Sequence, residues 1–151
     1  MGEKVIALNK KARFNYTLED FFEAGIVLTG AEIKSIRAGG VSLTESYIVP
    51  DKGELWLINA HIRPYSFDTD TKYNPVRRRK LLMHKREIAK LTGRVEAKGY
   101  TLVPTKLYLK RGMAKIELAL GKGKAKGDKR ETTKEREAKR EAERAMKQRA
   151  R

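Results

Sequence analysis

Along residues 113–120, MAKIELAL, the apolar side chains Ala114, Ile116, Leu118 and Leu120 alternate with Lys115 and Glu117. A period of two sets one row against a core and the other in water, which predicts a half-buried strand. The preceding run, YTLVPTKLYLK, joins it through Arg111 and Gly112, so the two predict a hairpin. Pro104 lacks the N–H that a ladder requires, which demotes that run toward an edge or a bulge. A second hairpin is expected over 41–62, where VSLTESYIVP and ELWLINAHI flank PDKG, a stretch with turn chemistry. GIVLT at 25–29 is short, apolar and β-branched, and reads as a further strand.

Two segments have the helical period instead. TGAE at 29–32 has the form of a capping box, followed by Ile33 and Ile36 at helical spacing until Gly39 and Gly40 stop the turn. HKREIAKLTG at 84–93 pairs Ile88 with Leu91 and ends on a glycine. Five or six strands with two or three short helices predict a mainly β fold. The expected form is a small closed OB-like antiparallel barrel with two or three short peripheral helices, because closure removes the edges that short hairpins would expose. Beyond Leu120 the large apolar positions vanish. GKGKAKG at 121–127 combines glycine freedom with repeated charge, so 1–120 reads as one barrel domain and 121–151 as a basic flexible tail.

Charge then points to a partner. The 151 residues carry 35 Lys and Arg against 19 Asp and Glu, a net +16, and the pI is near 10.1. The tail alone holds 13 bases against 6 acids. Such a cation is drawn to polyanions, of which RNA, DNA and anionic membranes are the candidates. No apolar run approaches the ~18–20 residues of a membrane span, the N-terminus has no signal-like stretch, and Ile6 stands where a myristoylation site needs Ser or Thr. A cytoplasmic protein with no membrane partner is expected. With no Cys, disulfides, thiolate catalysis and Cys-based zinc sites are excluded. Neither His61 nor His84 has carboxylates at metal spacing, and no Ser or Thr follows the tail lysines as a P-loop requires. The sequence therefore predicts no enzyme, no catalytic residues, no metal and no cofactor.

Three basic clusters are the candidate chemistry: NKKAR with Lys10, Lys11 and Arg13; VRRRK with Arg77, Arg78, Arg79 and Lys80, running into His84, Lys85 and Arg86; and the tail, beginning with Lys122, Lys124 and Lys126. These would contact phosphates and give salt-dependent affinity. Selectivity for folded RNA needs stacking and edge contacts as well. Tyr16, Phe21, Phe22, Tyr65 and Tyr73 lie near the basic segments, with core packing expected for at least one of the two Phe residues. If 131–151 is helical, Arg136, Arg140, Arg144, Lys147 and Arg151 share a face, beside a thin apolar stripe of Ala138, Ala142, Ala145 and Met146. Lys134 adds to the charge. A tail that becomes helical only against phosphates is expected.

Taken in order, ALNKKAR, FEAGIVLTGAEIKSIRAG, SYIV, NPVRRRKLLMHKREI, KGYTLVPTKLYLK and GKGKAKGDKRETTKERE resemble the SsrA-binding protein (small protein B) family of bacterial trans-translation, over about residues 5–137. The resemblance implies an OB-like barrel that binds the tRNA-like domain of transfer-messenger RNA. It also implies delivery of that RNA, with elongation factor Tu, to stalled ribosomes, and a tail that occupies the empty mRNA channel near the small-subunit decoding centre. It carries Glu23 and Leu82 over as RNA contacts, Asn9, Lys10, Lys11 and Tyr16 as an N-terminal RNA-contacting segment, and Asp128, Lys129 and Arg130 as the opening of the decoding tail. Many relatives have Trp where Ala31 and Ala138 stand here, so two aromatic elements are missing. The expectation is a monomeric, nonenzymatic RNA-binding adaptor of ribosome rescue. The alternative is a structural ribosomal protein with its basic tail embedded in RNA.

Overall fold

A computed structural model describes residues 3–66 and 72–123. Among them are nine strands and three helices, in the order β1 (Lys4–Leu8), α1 (Lys10–Asn15), β2 (Tyr16–Ile26), α2 (Gly30–Arg37), β3 (Val41–Ser42), β4 (Tyr47–Asp51), β5 (Glu54–Ile58), β6 (His61–Ile62), β7 (Arg79–Leu82), α3 (Lys85–Lys98), β8 (Thr101–Lys110) and β9 (Met113–Gly123). The fold is mainly β, as the hydrophobic pattern predicts, but with more strands than the five or six expected.

Seven strands form one antiparallel sheet in the order β1-β8-β4-β5-β7-β2-β9, and β8 also pairs with β9. Following β8, β4, β5, β7, β2 and β9 thus leads back to β8. β3 and β6 form a separate two-stranded ribbon. Both predicted hairpins are present. Each turns through two left-handed residues, Lys52 and Gly53 (φ 51° and 77°) or Arg111 and Gly112 (φ 54° and 77°), the turn sense that matches strand twist. The inward rows meet in one core, where Leu55, Leu57, Leu81, Leu107, Ile116, Leu118 and Leu120 have no exposed surface. Burial of each such side chain stabilises the fold by ~1.5–3 kcal/mol. The row Ile116, Leu118 and Leu120 is the one that alternation predicts.

Four sequence expectations change. The strand expected at 25–29 is instead the end of the long β2, which stops at Ile26; its acidic first half is held by the ladder to β9 rather than by apolar content. Helix α3 passes through Gly93 and ends at Gly99, whose φ of 67° is the left-handed cap conformation. β1 and β7 have no alternation that separates them from basic loop, and only pairing with β8, or with β5 and β2, makes them strands. Finally, β9 continues past residue 120: Gly121, Lys122 and Gly123 pair with Leu18, Thr17 and Tyr16. Lys122 therefore belongs to the sheet and not to the tail. Pro104 lies where the register of β8 on β9 shifts, a bulge and not an edge.

Candidate nucleic-acid interface

Burial alternates along the cluster 77–80, whose last two residues open β7. Arg79 points inward and has no exposed surface. Its Nε donates to Glu32 Oε2 at 2.7 Å, its Nη1 to the Ala60 carbonyl at 2.8 Å, and its Nη2 to Tyr73 Oη and the Pro75 carbonyl at 3.0 and 3.1 Å. Arg77, half-buried, reaches the same carboxylate with Nη2 to Oε1 at 2.5 Å. Glu32 also closes the predicted capping box: its N–H donates to Thr29 Oγ1 at 3.1 Å and its Oε1 accepts from the Thr29 N–H at 2.9 Å. Burial pushes the Glu32 carboxyl up, but hydrogen bonds from Arg77, the Thr29 N–H and Arg79 outweigh it and hold the group at about 2. One buried carboxylate thus ties α2 to the strand that carries the basic run. Arg79 is corrected from phosphate contact to internal pin, and Tyr73 from stacking candidate to member of the same network. Arg77 is largely committed to it.

Arg78 and Lys80 point outward. Arg78 sits 3.9 Å over the Trp56 ring centroid and pairs with Asp51 at 3.2 Å; Lys80 pairs with Glu54 at 3.5 Å. Two residues farther along the same outer face, Leu82 is 52% exposed. Its partner across the β2–β7 ladder is Gly25, where an added Cβ would lie 3.4 Å from the Leu82 Cβ. Beside this pair is a cleft of about 390 Å³ lined by Glu23, Gly25, Leu82, Met83, His84, Glu87 and Lys115. Glu23 and Leu82, far apart in sequence, are therefore neighbours. Glu23 accepts a hydrogen bond from the Tyr108 hydroxyl and one from Lys110 Nζ at 3.5 Å, both on Oε2. The Tyr108 bond is the main cause that holds the Glu23 carboxyl below its ordinary value; burial opposes it and Lys110 assists. Burial and Glu23 push the Tyr108 phenol up. Glu23 is thus an anion at neutral pH on a rigid strand, able to accept from a base edge.

His84 is the N-cap residue of α3 but makes no capping bond, and Lys85 and Arg86 follow, all exposed. Cations in a first turn oppose the helix dipole, so Lys85 and Arg86 do not serve helix stability. His84 lines the cleft, and Lys85 and Arg86 follow it as exposed residues.

The N-terminal segment divides similarly. Asn9 is buried, its N–H donating to the Thr105 carbonyl at 2.8 Å and its Nδ2 to the Pro104 carbonyl at 2.8 Å. It satisfies the β8 bulge, and its Oδ1 has no partner. Asn9, expected in the RNA-contacting segment, thus also anchors that segment to the body. Lys10 and Arg13 are exposed on α1, Arg13 lying 5.7 Å from the Phe21 ring centroid. Lys11 pairs with Glu45 at 3.1 Å. Tyr16 is half-buried and helps line a second cleft of about 350 Å³ with Asn9, Lys11 and Tyr47. Phe21 is exposed while Phe22 packs against the core. Lys122 lies 4.8 Å and Arg94 5.0 Å from the Tyr100 ring centroid. Lys124, Lys126, Asp128, Lys129, Arg130, Lys134, Arg136, Arg140 and Arg144, and the tail helix, fall outside the described residues. The pairing of Trp56 with Arg78 is not evident from spacing, although Trp56 stands between Leu55 and Leu57 at the outward position of a strand.

Among the described residues there is no cluster of three or more His, Asp or Glu able to hold a metal, and no helix long and apolar enough to cross a membrane. The family described as SmpB protein matches residues 6–148. The chain is 56% identical to an SsrA-binding protein of Geobacillus sp. (strain WCH70) over 146 residues, 97% of this chain and 94% of the relative. It is 55% identical to an SsrA-binding protein of Persephonella marina over 141 residues, 93% of each. A solved structure described as "tmRNA-SmpB: a journey to the center of the bacterial ribosome" matches with a TM-score of 0.65 and 47% identity, covering 79% of this chain and 84% of that one. On this agreement along almost the whole sequence, the chain belongs to the SsrA-binding protein (SmpB) family.

Proposed function

We propose that this protein is a nonenzymatic RNA-binding adaptor of trans-translation. It binds the tRNA-like domain of transfer-messenger RNA and brings that RNA to stalled ribosomes. The observation that carries this reading is the cleft in which Glu23 and Leu82 converge from β2 and β7. His84 lines it, and Lys80, Lys85 and Arg86 are cations nearby on the scaffold shared with SsrA-binding relatives. The charges supply affinity, and the Glu23 carboxylate supplies selectivity, because it repels phosphate and accepts hydrogen bonds from base edges. The returning ladder β8-β4-β5-β7-β2-β9 is read as a closed OB-like barrel, which gives the cleft a rigid wall.

The body extends to Gly123, and the basic segment 124–151 enters the vacant mRNA channel near the decoding centre, gaining helical order against ribosomal RNA. The protein acts as a cytoplasmic monomer, and elongation factor Tu joins through the aminoacylated RNA. The test is a gel shift against transfer-messenger RNA and an ordinary tRNA at low and high salt, with intact protein and protein truncated after Gly123. Preference for transfer-messenger RNA that survives truncation, with peptide tagging lost, is the expected result. Equal affinity for both RNAs refutes the reading.

A further inference from the structure

The most closely stacked cation–aromatic pair among the described residues holds Arg78, which the sequence offers only as a phosphate contact. Arg78 Cζ lies 3.9 Å from the Trp56 ring centroid, whereas the other such contacts span 4.8 to 5.7 Å. At this distance the guanidinium is in direct contact with the ring face. Its Nη2 is held by Asp51 Oδ2 at 3.2 Å, and Asp51 is itself fixed opposite Glu54 at the β4–β5 turn. Half of the Arg78 side chain remains exposed.

A guanidinium clamped on one face and at one edge presents its other face to solvent as a flat, cationic, pre-oriented plate. Unpaired RNA bases stack on such plates. Because the side chain is already ordered, stacking on it incurs little further loss of rotamer freedom. Its place in the sheet matters as much. Trp56 stands directly across the β5–β7 ladder from Lys80, two positions from Leu82 on the same outer face, so the plate lies on the neighbouring strand about 7 Å along the strand direction from Leu82. Plate and cleft are therefore neighbours on one outer surface.

Resting on the function proposed above, we infer that Arg78 stacked on Trp56 is a second recognition element for the same RNA: a platform that receives one unpaired base beyond the Glu23–Leu82 cleft. Lys80, between the two, faces the connecting phosphates. The hairpin β4–β5 thereby becomes part of the RNA surface and not only part of the wall.

Trp56 is the only tryptophan in the chain, so its emission reports on this position directly. The experiment titrates the intact protein with a transcript of the tRNA-like domain of transfer-messenger RNA, following Trp56 fluorescence and gel-shift affinity together, and repeats both with R78A and R78K. Expected are quenching of Trp56 at saturation and an affinity loss of about tenfold in both variants, because lysine restores the charge but not the plate. Wild-type affinity in R78K reduces Arg78 to a phosphate contact and overturns the inference, as does unchanged Trp56 emission with RNA fully bound. R78K retains a cation beside Asp51, so it tests the claim even if R78A fails to fold. If wild-type protein does not select this RNA at all, the adaptor function itself fails, and this inference falls with it.

Discussion

Replacing Glu32 with glutamine is the most informative perturbation of the body. Gln preserves the capping box, because its side-chain oxygen still accepts from the Thr29 N–H, so the change isolates the charge. Arg79 then keeps its carbonyl and tyrosine acceptors but loses the only carboxylate among its hydrogen-bond partners in the described residues, at a position with no solvent exposure. Removing one partner of a buried ion pair costs about 3–5 kcal/mol. Proton linkage gives a second route to the magnitude. The folded Glu32 titrates at about 2 against 4.5 for an ordinary glutamate, and this difference corresponds to about 3 kcal/mol at neutral pH. Because the folded value is the lower, that stabilisation is complete above pH ~5 and is lost as pH falls toward 2.

Urea denaturation followed by circular dichroism should therefore separate wild type from E32Q by about 3 kcal/mol at pH 7 and by about 1 kcal/mol at pH 2.5. Combining E32Q with R79M should recover stability relative to the sum of the single changes, since the stranded charge is then gone. A difference below about 1 kcal/mol at pH 7, or one that does not change with pH, would refute the claim that this carboxylate pins β7. The consequence for function is direct. β7 carries Lys80 and Leu82 and follows directly on Arg78, so E32Q should also weaken RNA binding at temperatures where its body is still folded.

Three further outcomes are expected. Glu23→Ala should lower affinity for transfer-messenger RNA more than for unrelated RNA in parallel gel shifts; equal losses would make Glu23 a partner of Tyr108 and nothing more. Removing the exposed cations Lys85 and Arg86 together should reduce the slope of log affinity against log salt by about 1.5, measured by filter binding between about 50 and 300 mM salt (roughly 0.7–0.9 per phosphate contact). Gly121→Ala should destabilise the body by about 1–3 kcal/mol, because the new Cβ would lie 3.0 Å from Val103 Cγ2 and 3.1 Å from Tyr16 Cβ; an unchanged melting temperature would show that β9 is not closely packed there.

Residues whose role depends on near neighbours are legible in the chain itself. The Thr29–Glu32 capping box is local chemistry over four positions, and α2 starts where it predicts. Asp51-Lys52-Gly53-Glu54 and Lys110-Arg111-Gly112-Met113 turn where glycine and polarity say they should. The resemblance also named Glu23 and Leu82, but nothing in their spacing says that they meet. They meet because β2 and β7 are antiparallel neighbours with Gly25 opposite Leu82.

What the sequence by itself determined was the alternation that builds the hairpins, the excess of positive charge, and the family's ordered segments; each is carried by residue type at short range. Which cations face solvent was decided only by the tertiary structure. Arg77, Arg78 and Arg79 are chemically identical and consecutive, yet Arg79 is buried on Glu32, Arg77 leans on the same carboxylate, and Arg78 lies on Trp56 in solvent. The reason is geometric: Arg79 opens β7 on its inward side while Arg77 and Arg78 precede the strand, and whether an inward arginine finds a carboxylate depends on a helix placed more than forty residues earlier in the chain. Composition counts these charges as equal, and burial makes them different.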